Sequence, residues 1–234
     1  MDMRKVAMGT LLAVAALAAT QAQAAERRFT VTNFEAIEVS GPFDVVVTVG
    51  KAVSVRAEGE QKDLDRLRIE VEGRELEIGT VRERNWFNWS KSSPVKIYVT
   101  VPALNEVSLS GSGDLSVDRV KSDDFEASLA GSGDLTVGSL AAGKAEFSIA
   151  GSGDITVAGG SCRSAEASIA GSGDINIAGL RCQTLDVDIA GSGGVKAHAT
   201  QAAKVSIMGS GDVVVTGGAR CSTSKMGSGS VRCG

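Results

Sequence analysis

SIAGSGDITVAGG, residues 148–160, alternates apolar and polar residues on both sides of a Gly-Ser-Gly centre. Ile149, Ile155 and Val157 fall on one side of a period-two pattern, with Ser, Asp and Thr on the other. That spacing belongs to a half-buried strand, a bend and a second strand, not to a helix. The bend recurs. Its first glycine stands at Gly111, Gly131, Gly151, Gly171, Gly191, Gly209 and Gly227, in steps of 20, 20, 20, 20, 18 and 18 residues.

The neighbouring columns repeat with it. Leu109, Leu129, Ile149, Ile169, Ile189 and Ile207 precede the motif by two residues, and Leu115, Leu135, Ile155, Ile175, Val195, Val213 and Val231 follow its start by four. Strands this short cannot bury an apolar face alone, but stacked on identical neighbours they form continuous apolar ladders. The sequence therefore predicts an all-β parallel β-helix, a solenoid of laps of about 20 residues, rising roughly 4.8 Å per lap. An antiparallel sandwich does not demand so fixed a register. In a coil the Gly-Ser-Gly segment is first of all a corner, taken by residues that reach unusual backbone angles and let stacked corners approach. A phosphate loop requires a following helix, and no helical pattern follows.

Two acidic columns run beside the motif. Asp114, Asp134, Asp154 and Asp174 would stack about 5 Å apart, with Asp212 continuing beyond a gap at Gly194. Glu106, Glu126, Glu146, Glu166 and Asp186 form the second column. Turn capping and solubility account for both. A hard cation such as Ca2+ on the Asp column is the alternative, although the nine-residue period of a calcium β-roll is absent.

All four cysteines lie in the last third. Cys162 and Cys182 share a column on adjacent laps, within disulfide reach, which leaves Cys221 and Cys233 for each other. The lap at 191–208 breaks the pattern with Lys196 and His198, the chain's one histidine. A polysaccharide-acting enzyme would break a repeat in this way, but no nucleophile accompanies that His. The chain reads as a non-enzyme without a required cofactor.

Residues 1–24 combine a basic start, an apolar run from Val6 to Ala19 and small residues at Ala22 and Ala24. This is the pattern of a signal peptide, and nothing later is apolar for long enough to span a bilayer as a helix. Export to the periplasm or outer cell surface follows, a setting that permits disulfides. With 24 basic and 28 acidic residues, a net charge of −4 and no basic cluster, nucleic-acid binding is not expected.

Residues 25–105 keep period-two strands without the motif and read as an N-terminal β cap with opening laps, continuous with regular laps over 106–234. KDLDRLR at 62–68 has the makings of one helical turn, and LRIEVEGRELEIG at 67–79 of a hairpin around Glu72 and Gly73. RERNWFNWSKSS at 82–93 stands out, because Trp86, Phe87 and Trp89 lie beside Arg84 in a chain poor in aromatics. It reads either as a plug over an open end of the coil or as a ligand-binding loop, since Trp rings stack on sugars and anchor interfaces.

Taken in order, FEAIEVSGPFDVVVTVG (34–50), LEIG (76–79), VKIYVTVPALNEVSLSGSGDL (95–115), the repeated GSGD and the closing GSGSVRCG (227–234) resemble the auto-transporter adhesin head GIN domain family over about residues 29–234. The resemblance implies an exported bacterial β-helix with an adhesin role and carries over no catalytic residue. Two binding classes then stand beside the enzyme. One is an adhesin-like module for a cell-envelope polysaccharide or surface protein. The other is an envelope component that self-associates through its open ends.

Overall fold

The computed structural model describes residues 25–81 and 95–234. Its nineteen strands form one continuous sheet wound into a β-helix. The regular part begins with β8 (Glu106–Gly111) and β9 (Leu115–Val117), on either side of the first Gly-Ser-Gly corner. The next laps use β10 (Val120–Gly131) and β11 (Leu135–Val137), β12 (Leu140–Gly151) and β13 (Ile155–Val157), then β14 (Gly160–Gly171). From there the strands fuse around their bends into β15 (Ile175–Gly191) and β16 (Val195–Gly209). The coil ends with β17 (Asp212–Thr216), β18 (Arg220–Gly227) and β19 (Ser230–Cys233).

Every pairing in this part is parallel, and the register is the 20-residue step: Leu129 lies opposite Leu109 and Ile149, and Ile169 opposite Ile189. Val195, Lys196 and Ala197 still pair at 20 residues; from Ala202 onward the step is 18, and the shift is absorbed between Ile177 and Arg181 and between Cys182 and Thr184.

The sequence reading gives each lap two strands and one bend; the structure has a third face. Asp123 and Gly143 drop out of the ladder within β10 and β12, so each long strand turns a second time there. The core is filled in alternation. Phe125 sits over Ala145 while Ala127 sits under Phe147, and the two rings meet edge to face at 6.5 Å. The next lap has only Ala165 and Ala167 in those columns, and there the Cys162–Cys182 disulfide turns into the interior, with Cα atoms 4.5 Å apart. Cys221 and Cys233 form the second disulfide, so both pairings agree with the sequence reading.

The N-terminal part has a chain order that the sequence did not reveal. β1 (Ala25–Phe29), β2 (Ala36–Ser40), β3 (Asp44–Val49) and β4 (Ser54–Gly59) are followed by the single turn α1 (Gln61–Leu64), then β5 (Leu67–Glu72), β6 (Glu75–Thr80) and β7 (Lys96–Val101). β2 and β3 stack directly on β8 and β9. β6 and β7 lie outside them, on the far side of β2 and β3. The segment between therefore folds back over the first lap, and antiparallel β1, β4 and β5 finish that end. Period-two spacing identified the strands from β2 onward and the β5–β6 hairpin, but not β1, and carries no information on which lap each joins.

Candidate functional site

The corner is built by close approach. Gly151 has φ +142°, and a Cβ there would lie 2.2 Å from the Gly131 carbonyl oxygen. The same carbonyl accepts the Ser152 N–H at 2.9 Å, and this bond repeats at Ser132, Ser172, Ser192, Ser210 and Ser228. The Asp column is tied into the same scaffold. Asp114 Oδ1 accepts the Asp134 N–H at 3.1 Å, Asp134 that of Asp154 at 3.2 Å, Asp154 that of Asp174 at 2.8 Å, and Asp174 that of Gly194 at 2.6 Å. Each carboxylate thus caps the next lap, and its charge is offset by a backbone dipole. Asp212 does the same for the Ser230 N–H, at 2.9 Å, and also accepts the Ser230 hydroxyl, which holds its carboxyl below the usual range. Among the described residues no three His, Cys, Asp or Glu side chains gather as a metal-holding group.

The Glu column stands on another face, in register from Glu106 to Asp186 and ending at Lys204. Lys144 pairs with Glu146 and reaches Glu166 at 3.8 Å, and Lys204 lies 3.4 Å from Asp186. At the N-terminal end burial, with the nearby charges of Glu38, Glu106 and Glu77, pushes the Glu75 carboxyl up. His198 shares a 3.2 Å hydrogen bond with the Thr216 hydroxyl. Trp86, Phe87, Trp89 and Arg84 lie outside the described residues.

A surface that the sequence reading passed over lies between the Glu column and the Gly corner. Ser108, Ser128, Ser148, Ser168, Asp188 and Ser206 face outward, and beside them run Ala130, Ala150, Ala170 and Ala190. Together they line a groove of about 560 Å3, with Met208 at its C-terminal end. Six laps contribute, which makes the groove roughly 24 Å long at ordinary strand spacing. Met208 and its neighbour Met226 continue the Ala column and are 63% and 71% exposed. The signal was in the sequence as the Ala immediately before four of the seven Gly-Ser-Gly motifs. Period two places that Ala outward, whereas its apolar character suggests the core.

The family described as "Putative auto-transporter adhesin, head GIN domain" matches residues 33–219. The chain belongs to this family. Among solved structures, a "putative adhesin" from Bacteroides fragilis superposes on this GIN domain with a TM-score of 0.83 at 23% identity, covering 91% of this chain and 98% of that one. A "putative lipid binding protein" from Parabacteroides distasonis gives 0.71 at 26% identity, with 90% and 96% covered. A "putative adhesin" from Parabacteroides merdae gives 0.71 at 20% identity over 90% and 96%. At these identities the first and third likenesses speak for the fold. A comparison with curated proteins finds no match. Among the described residues no helix is long and apolar enough to cross a membrane.

Proposed function

We propose that the chain is an exported, non-enzymatic binding module of adhesin type, and that the Ser and Ala groove is its contact surface. The observation that carries this reading is the repetition itself: one pair of small outward residues is offered on lap after lap, in a groove. Such a surface suits an extended polymer, because weak contacts repeated at fixed spacing add through effective concentration. A cell-envelope polysaccharide or the surface protein of another cell is the partner class, with Trp86, Phe87, Trp89 and Arg84 as a second contact. Signal-peptide cleavage near Ala24 and a periplasmic or surface location complete the proposal.

The test is retention of the purified protein on immobilised capsular and cell-wall polysaccharides, with and without calcium. The double variant Ala150→Met, Ala170→Met serves as the groove-filled control. Saturable retention that the variant loses, with no new reducing ends in the polymer, supports the reading. Retention that the variant keeps removes the groove from it, and new reducing ends would make the chain an enzyme. The Ala and Met floor and the Parabacteroides distasonis relative favour a lipid as the second reading. Phosphatidylethanolamine vesicles in the same assay separate the two.

A further inference from the structure

We infer that the last lap is built as a stop, which prevents a second copy of the chain from continuing the coil. A solenoid's end exposes both unpaired backbone groups and the underside of its core, and a copy of itself is the surface that fits it best. In this chain two of the inward columns change character at the end. The column Leu109, Leu129, Ile149, Ile169, Ile189, Ile207 arrives at Lys225, and the column running through Val187 and Val205 arrives at Thr223. Lys225 crosses the corner and donates to the Gly229 carbonyl at 2.6 Å, which lays its stem across the end of the core and holds an ammonium there. A further lap would take that charge out of water. The Cys221–Cys233 disulfide fixes β18 to β19 across the same end, so the stop does not fray.

The opposite end is not the complement of this one. It is finished by antiparallel strands, whereas the coil's own pairing is parallel. Its edge strands among the described residues, β1 and β5, bear Glu26, Arg27 and Arg28, and Arg68, Glu70 and Glu72. Arg28 pairs with Glu26 at 2.8 Å and Arg68 with Glu70 at 2.9 Å, so these edges present charge rather than a bare ladder. Among the described residues, head-to-tail growth lacks a match at both ends. On this inference the chain works as a single unit rather than as the self-associating envelope component that the repeat suggests. This inference is independent of the groove and its ligand.

Sedimentation of the purified protein over a hundredfold range of concentration tests it, beside the double variant Thr223→Val, Lys225→Ile. The parent chain should keep the mass of one copy throughout. The variant, with an apolar end and the N-terminal charges intact, should double its mass with rising concentration by tail-to-tail pairing. Lys225→Gln, which keeps a polar tip, should stay monomeric, and it provides the comparison if the double variant does not fold. Concentration-dependent association of the parent overturns the inference. So does a folded double variant that remains monomeric, or association of Lys225→Gln.

Discussion

Replacing Gly151 by Ala tests the physical basis of the coil. Two costs coincide at this residue. Its φ of +142° is a backbone conformation that L side chains rarely adopt, a strain of about 1–3 kcal/mol. The new methyl would also stand 2.2 Å from the Gly131 carbonyl oxygen, well inside van der Waals contact, so the two laps must part or the corner must rotate. Overpacking of this kind costs about 1–3 kcal/mol more. Moving the corner also loosens the 2.9 Å bond from the Ser152 N–H. A total of about 2–6 kcal/mol is expected, a large share of a domain's stability. Two other glycines separate the terms. Gly73 has φ +62° with open space around its Cβ position, so Gly73→Ala should cost the backbone strain alone, about 1 kcal/mol. Gly159 has neither the positive φ nor a close neighbour, and Gly159→Ala should be neutral or stabilising by about 0.4–1 kcal/mol. Urea denaturation of the three variants under oxidising conditions reads the order directly. If Gly151→Ala were no less stable than Gly159→Ala, close approach would not be what fixes glycine at the corner.

Three further outcomes follow from the ladders. Replacing both Cys162 and Cys182 by Ala should cost about 3 kcal/mol in denaturant, since the bond closes a 20-residue loop and fills the core beside Ala165 and Ala167. Replacing Asp154 by Ala should cost about 1 kcal/mol through the unpaired Asp174 N–H, while Asp154→Asn, which keeps an acceptor, should recover most of it. Glu75 and Asp212 should respond to pH with opposite signs. The folded chain holds the Glu75 proton more tightly than the unfolded chain, so its contribution falls as pH rises from the ordinary carboxylate value through the raised one. Glu75→Gln should therefore raise the melting temperature at pH 7 and lose that advantage in acid. Asp212, held low by Ser230, stabilises above the ordinary carboxylate value and loses that effect as pH falls through its lowered one.

The regular laps were legible in the sequence because one fact, a fixed step between identical columns, determines register, strand direction and disulfide partners together. Cys162 and Cys182 could be paired from their numbers alone. The N-terminal order was not legible, because 34–50 and 95–105 carry the same alternation and neither has a repeat number to rank it. The path of the chain back over β2 and β3 depends on non-local pairing that period two does not encode. The Asp column was legible as a column, but its Oδ1 bonds to the next lap's N–H needed coordinates. The outward Ala column was visible in four successive repeats and was hidden by its chemistry, since Ala reads as core or as filler.

That column also shows where the fold's demands stop. Exposed strand positions favour β-branched and aromatic residues, and Ala is depleted there. A run of Ala at one outward position therefore calls for a cause. If the neighbouring corner needed a small residue, every lap would have to supply one. Met208 and Met226 occupy the same column two laps in succession, on the same kind of strand, before the same Gly-Ser-Gly corner, and both stand exposed. The fold accepts a long side chain at this position, so the corner does not demand the smallness of Ala130, Ala150, Ala170 and Ala190, and the proposed contact surface accounts for it. Ala150→Met should change unfolding free energy by no more than about 0.5 kcal/mol, as for a surface site without special contacts. The same substitution fills the middle of the groove and should abolish saturable binding to the polymer that the parent retains. A marked loss of stability would return the Ala column to the scaffold. Unchanged stability with unchanged binding would show that the groove is not where the partner sits.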